Sequence, residues 1–315
     1  MRLFSGLVLA CYLWSGSPPD AAPVHIRVPV WVQPGGEAPG SLCQASDFHA
    51  TLSGSASRIL AMKSPADDLL LMVALDMTQD LTQATLAKEA LSAEVRKLPP
   101  KTTVTVLRAQ DTLKVLVEPT SDRAKVAEAI QALPISGKAG LLDTVEFLGR
   151  AGDAILRKTA VRVAILYVTN SDIGNYRENF ANPVVNSSDT RDLSRKFPEA
   201  LIQERISKLS TRLSRQQTPL FVVHLVYRAD RLNEAYQSGL TQLAETTAGA
   251  SLFCHSNAEV ADAIHKALET IVSHYSLTLA LPPRAPRSVQ VEITADPPDG
   301  SRVMAHRTHL FLRGN

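Results

Sequence analysis

The chain carries three hydrophobic patterns, and they follow one another in blocks. From residue 24 to 66 the apolar positions alternate: Ile26, Val28, Val30 and Val32 fall on one face of a strand. Pro34-Gly35-Gly36 and Pro39-Gly40 supply turns. From Leu69 the alternation stops. LLLMVALD (69–76) is an unbroken apolar run ending in a carboxylate, the pattern of a parallel strand covered on both faces. Leu81, Ala84, Leu91, Val95 and Leu98 then recur at helical spacing until Pro99-Pro100 stops them. The same exchange repeats, with strands predicted at 103–109, 113–119, 161–169, 219–227 and 250–255. Helices are predicted at 122–133, 140–158, 198–215, 233–247 and 257–273, the last opened by a capping box of Ser256 and Glu259. After Tyr275 the β pattern returns at 275–282, 288–295 and 303–312.

Alternating β and α units over the middle of the chain predict an α/β fold, a doubly wound and mostly parallel sheet with helices on both faces. The β segments on either side are each too short to bury a face alone, so they are expected to pair with one another as a small flanking β domain. The expected organisation is a leader (1–23), an N-terminal β segment (24–66), an α/β domain (67–274) and a C-terminal β segment (275–315).

The leader changes the compartment. Met1 and Arg2 precede the apolar stretch from Leu3 to Trp14, followed by small residues and prolines, as in a secretory signal peptide. The stretch is short for a membrane span and no other reaches that length, so the mature chain is expected in a periplasm or outside the cell. Cys11, in VLAC, reads as an ordinary leader cysteine. An oxidising compartment permits a disulfide between the remaining two, Cys43 and Cys254, and two buried thiols are the preferred alternative. Lys+Arg 33 against Asp+Glu 31 leaves +2, which argues against nucleic acid as a partner.

In an open α/β sheet, ligands bind beyond the carboxyl ends of the strands. The first such end reads Asp76-Met77-Thr78-Gln79-Asp80, with three oxygen side chains at alternate positions. They could converge on a hard cation such as Mg²⁺, or serve a helix N-terminus that favours acids.

A buried strand ending in D-x-[S/T]-x-[S/D] and opening a doubly wound core resembles the von Willebrand factor type A domain, whose metal-ion-dependent adhesion site begins D-x-S-x-S. The order of segments 30–54, 118–133, 136–148, 164–172, 240–253 and 275–281 resembles the VWFA-related family of secreted acidobacterial proteins, with Asp47-Phe48 at the place of that family's D-F pair. The resemblance runs from about residue 24 to the end. It implies adhesion or assembly and no reaction. It also implies a ligand set of Asp76, Thr78, Asp80 and Asn170, which departs from the family pattern twice. Ala139 stands where the family supplies a threonine before the third helix, and Asn170 stands where it supplies an acid. Asp80 in place of serine restores one carboxylate. A degenerate, metal-free site is therefore expected, with a weakly held divalent cation the only cofactor left open. The expected binding face for a protein ligand adds Ser171, Asp172 and Lys138. The alternative is a purely structural component of an envelope complex with an unused site.

No H-E-x-x-H, G-x-S-x-G or G-x-G-x-x-G stands in a suitable context, so no enzyme is expected. His224 lies in an apolar strand and reads as a core histidine, while His306 and His309 point to opposite faces of one strand. Arg205, Lys208, Arg212 and Arg215 form a basic stripe on one helix. It would suit an anionic surface; a solvated helix face is the preferred reading. The long connection from Ser171 to Thr190, with its sequon Asn186-Ser187-Ser188, is a candidate functional loop.

Overall fold

The computed structural model describes residues 25–35, 42–78, 80–176, 198–282 and 284–312. The leader, most of the 171–190 loop, its sequon, and Gln79 lie outside them. In chain order, β1 (His25–Gln33), β2 (Phe48–Leu52), β3 (Ser55–Ser57) and β4 (Ile59–Lys63) come first. The α/β part follows as β5 (Leu69–Asp76), α1 (Leu81–Lys97), β6 (Thr102–Arg108), β7 (Lys114–Thr120), α2 (Arg123–Ala132), α3 (Leu141–Lys158) and β8 (Arg162–Thr169). It continues with α4 (Pro198–Leu213), β9 (Leu220–His224), α5 (Arg231–Thr246), β10 (Ser251–Phe253) and α6 (Val260–Ser273). Four strands close the chain: β11 (Tyr275–Ala280), β12 (Ser288–Ala295), β13 (Arg302–His306) and β14 (His309–Phe311).

The central sheet has six strands in the order β10-β9-β8-β5-β6-β7, parallel except for β7, which returns antiparallel to β6. Every residue of β5 and β8 is buried, which explains why the sequence there is apolar without alternation. Leu69, Leu71, Val73 and Leu75 pack into the layer that holds α1, α2 and α6. Leu70, Met72 and Ala74 pack into the other layer, with α3, α4 and α5. This is the doubly wound α/β fold, and antiparallel sheets flank it.

Those sheets are β13-β1-β11-β4 and β14-β12-β2-β3, four strands each, and every one of their pairings is antiparallel. Each sheet mixes strands from both ends of the chain, with Val28 opposite Leu277 in one and Ala50 opposite Ile293 in the other. A shared core of Ile26, Val28, Phe48, Leu277, Val291 and Leu310 joins them into a sandwich. The expected single strand 303–312 is two strands in different sheets. The break falls at Arg307, whose side chain turns away from the sandwich, so His306 and His309 belong to different sheets rather than to two faces of one.

Three arginines and a tryptophan join the sandwich to the amino end of the central sheet. Arg307 is 2% exposed and donates to the carbonyls of Leu213, Ser214 and Gln216, closing the C-terminus of α4. Arg27 donates to the carbonyls of Thr159 and Val161, and Trp31 Nε1 to that of Thr270 at 2.8 Å. Arg162, 1% exposed, reaches in the opposite direction, onto both segments that cross between sandwich and α/β part. The disulfide does not form. Cys43 is a buried free thiol in the sandwich core and Cys254 another in the α/β core.

Candidate functional site

The carboxyl end of β5 stands at the middle of the sheet, between β6 and β8. Asp76 closes the strand with no exposed surface. Its carboxylate accepts from the amide of Gly140, the N-cap of α3, at 3.1 and 3.2 Å and from that of Leu141, its first residue, at 3.2 Å. The Thr169 hydroxyl stands 3.4 Å away. Free amides and the helix dipole make a helix start favourable for an anion. Even so, burial dominates: it pushes Asp76 up to about 7, with the Gly140, Leu141, Thr169 and Tyr167 hydrogen bonds pulling the other way. Position 140 admits only glycine, because a Cβ there would stand 1.8 Å from the Ala109 carbonyl oxygen. That close approach is what lets the helix start reach the carboxylate.

The other strand-end oxygens are also engaged by the protein. Thr78 donates its amide to Asn170 Oδ1 at 2.9 Å, and its hydroxyl accepts from Asn175 Nδ2. Asp80 turns outward, with φ 43°, and caps α1 by accepting from the Gln83 amide at 3.1 Å. Thus Thr78 and Asn170 are brought together and the Asn170 amide reaches the Asp76 carbonyl at 3.3 Å, while Asp80 serves its own helix. Ala139 is buried, its amide held by the Asn175 carbonyl at 3.0 Å. Among the described residues no group of three or more His, Cys, Asp or Glu side chains could hold a metal ion.

Of the expected binding face, Lys138 is exposed, and its amide is anchored to Asp111 Oδ1 at 3.0 Å. Asp172 accepts from the Gly174 amide at 2.9 Å and pairs with Arg228 at 3.2 Å. Ser171 has no exposed surface. Its hydroxyl lies 2.7 Å from that of Thr169 and 2.9 Å from that of Tyr236, which in turn meets the Tyr176 hydroxyl at 2.6 Å. His224 Nε2 donates to the Ser171 carbonyl at 2.8 Å rather than to its hydroxyl, and burial lowers the ring to about 4. This neutral imidazole orients a backbone and does not activate the serine.

The buried hydroxyl network under the edge was not foreseen. It has two parts: Tyr176, Tyr236, Ser171 and Thr169 in one chain, and Tyr167 2.9 Å from Thr144, whose hydroxyl donates to the Gly140 carbonyl at 2.8 Å. The one signal for it is that a tyrosine inside a fully buried strand must find a partner for its hydroxyl.

The basic stripe is neutralised from the neighbouring helix. Arg205 pairs with Asp143 at 2.5 Å and Arg212 with Glu146 at 2.7 Å, both on α3, and Lys208 pairs with Glu204 at 2.5 Å. Three of the four cations of the stripe are thus paired, and α3 and α4 meet in a charge-paired seam.

No family model and no curated protein matches the chain. Solved structures similar to it include von Willebrand factor type A domains. One is von Willebrand factor type A from Catenulispora acidiphila, 11% identical, covering 93% of this chain and 74% of that one at a TM-score of 0.44. Another is the vWF domain of the type V pili tip protein Mfa5 from Porphyromonas gingivalis, 14% identical, covering 65% of this chain and 95% of that one, also at 0.44. A third is the conserved hypothetical protein BatB from Bacteroides thetaiotaomicron, 14% identical, covering 64% and 98% at 0.41. Among the described residues no helix is long and apolar enough to cross a membrane.

Proposed function

We propose that this chain is a secreted or envelope-associated protein-binding module, of the adhesion or assembly kind that the sequence resemblance implies. The loops at the carboxyl edge of its central sheet would dock a protein ligand without a bridging cation and without catalysis. One observation carries this reading. The strand-end oxygens are turned onto protein donors, while exposed apolar side chains rim the same edge: Leu81, 69% exposed at the start of α1, and Tyr227, 37% exposed beyond β9. A cation that bridges a ligand needs several oxygens converging on open space. Here Asp76 faces the amides of α3, Thr78 and Asn170 hold each other, and Asp80 caps α1.

Thermal melting in Mg²⁺, Mn²⁺ and EDTA tests the cation-free part, since a ligand bound only by the native state raises the melting temperature. The expected result is the same midpoint in all three. A rise of several degrees with Mg²⁺ or Mn²⁺, lost in Asp76→Ala, would restore a cation-bridged site. For the partner, a crosslinking pull-down from the native envelope is run with the wild type and with Leu81→Glu. Loss of the captured protein in the variant is expected. Equal recovery would favour the alternative, a structural component whose edge is unused.

A further inference from the structure

The chain crosses between sandwich and α/β part twice, through residues 64–68 from β4 to β5 and through His274 from α6 to β11. One buried side chain holds both crossings. Arg162 Nη1 donates to the carbonyls of Val272 at 2.8 Å and His274 at 2.9 Å, and Nη2 to those of Pro65 at 2.8 Å and Asp67 at 3.0 Å. Its backbone amide donates to the Asp68 carbonyl at 2.9 Å. Its planar fork serves four carbonyls on two separate backbone segments; a lysine ammonium has only three donors around one point.

Arg162 is also the first residue of β8, and β8 ends in the candidate site. The strand is buried throughout and is paired residue for residue with β5, from Leu69 opposite Arg162 to Asp76 opposite Thr169. Asn170 and Ser171 follow directly. A strand held in unbroken register inside a close-packed core cannot shift at one end without shifting at the other. We propose that Arg162 is a positioning residue that couples the seating of the sandwich to the geometry of the carboxyl edge. The crossings that lead to the sandwich fix Arg162, Arg162 fixes β8, and β8 sets where Asn170 meets Thr78 and where Thr169 meets Asp76. This coupling stands whether or not the edge takes a protein ligand.

The test is amide hydrogen exchange on the full chain, comparing wild type with Arg162→Lys. A reference variant, Leu91→Ala in α1, lowers stability from a core position away from the crossings. The amides to follow are Thr78, Gly140, Leu141 and Asn170, which make the contacts of the edge. The coupling predicts at least tenfold faster exchange at these four in Arg162→Lys, with the amide of Ile130 in α2 unchanged. In Leu91→Ala the edge and Ile130 should change together. Faster exchange confined to the crossings, at Leu69 and residue 162, would overturn the proposal, as would a uniform increase like that of Leu91→Ala. Should Arg162→Lys fail to fold, Trp31→Phe loosens the same junction by removing the indole donor to Thr270 and part of its buried ring. It is expected to give the same pattern at smaller amplitude, and protected edge amides there would equally overturn the coupling.

Discussion

The two ends of the central sheet solve one problem with opposite charges. At the amino end a buried cation, Arg162, donates through both Nη atoms to backbone carbonyls, two of them at the C-terminal end of α6. At the carboxyl end a buried anion, Asp76, is satisfied by backbone amides at the start of α3. Neither relies on a counter-ion in contact; each sits at the helix terminus whose dipole suits it. The difference lies in how firmly the charge is kept. Burial lowers Arg162 only to about 10, so it stays cationic at neutral pH, whereas burial raises Asp76 to about 7. The charge at the joint to the sandwich is therefore kept at neutral pH, whereas burial moves that of the carboxyl edge towards neutrality.

The largest effect should come from Arg162→Met. Four carbonyls would lose their donor in a buried junction, and unsatisfied buried groups cost about 1–3 kcal/mol each before relaxation and water entry. A net loss of roughly 3–5 kcal/mol in urea unfolding is expected. A loss below about 1 kcal/mol would mean that the junction is held by apolar packing instead.

Asp76→Asn sharpens the contrast through pH. The folded pKa of Asp76 lies above its ordinary value of 3.8, so the folded state binds the proton more tightly. Stability from this group is present below pH 4 and is lost as pH rises towards 7. The asparagine variant cannot titrate there. Its stability relative to wild type should improve between pH 4.5 and 8, by an amount bounded at roughly 4 kcal/mol by the distance between the two pKa values. Parallel curves for the two proteins would show that Asp76 is ionised throughout.

A smaller effect of opposite sign belongs to the amino end. His274, beside Arg162, is buried and lowered to about 3, by burial first and by the Arg162 charge second. Below pH 6.5 the unfolded chain takes up a proton that the folded ring refuses, so stability falls on acidification. His274→Gln should lose less than wild type between pH 7 and 5, by about 2 kcal/mol. Equal losses would place the acid sensitivity elsewhere, for instance at His224.

Much of this architecture was legible in the sequence because it rests on local pattern. The run 69–76 lacks alternation because both faces of β5 are covered, and the helix after it ends where two prolines forbid its continuation. The pairing of the two terminal β segments was legible from their shortness, though not their division into two sheets. What escaped is non-local. Arg307 looks like one more residue in a strand, and only the end of α4, far away in the chain, explains why the strand breaks there. The nearest partners of Asp76 are backbone amides, which leave no side-chain signature; Gly140, forced by the Ala109 carbonyl, was the hint to them. The basic stripe is different, because its answer was available. Asp143 and Glu146 stand one turn apart on the preceding helix and Arg205 and Arg212 two turns apart on α4, so each pair of like charges shares one helix face and the two faces meet.

The junction at the amino end also fixes how the molecule would carry tension. Both crossings enter the α/β part at one end of β5 and β8, and the loops that face outward leave from the other. A pull between the outer edge and the sandwich therefore runs lengthwise along these two strands. Their hydrogen bonds stand across that direction, with eight residue pairs in register from Leu69 and Arg162 to Asp76 and Thr169. Such a pair yields by sliding, which breaks the ladder together, and not by peeling, which breaks it one rung at a time. Arg162 sits where that load enters the sheet.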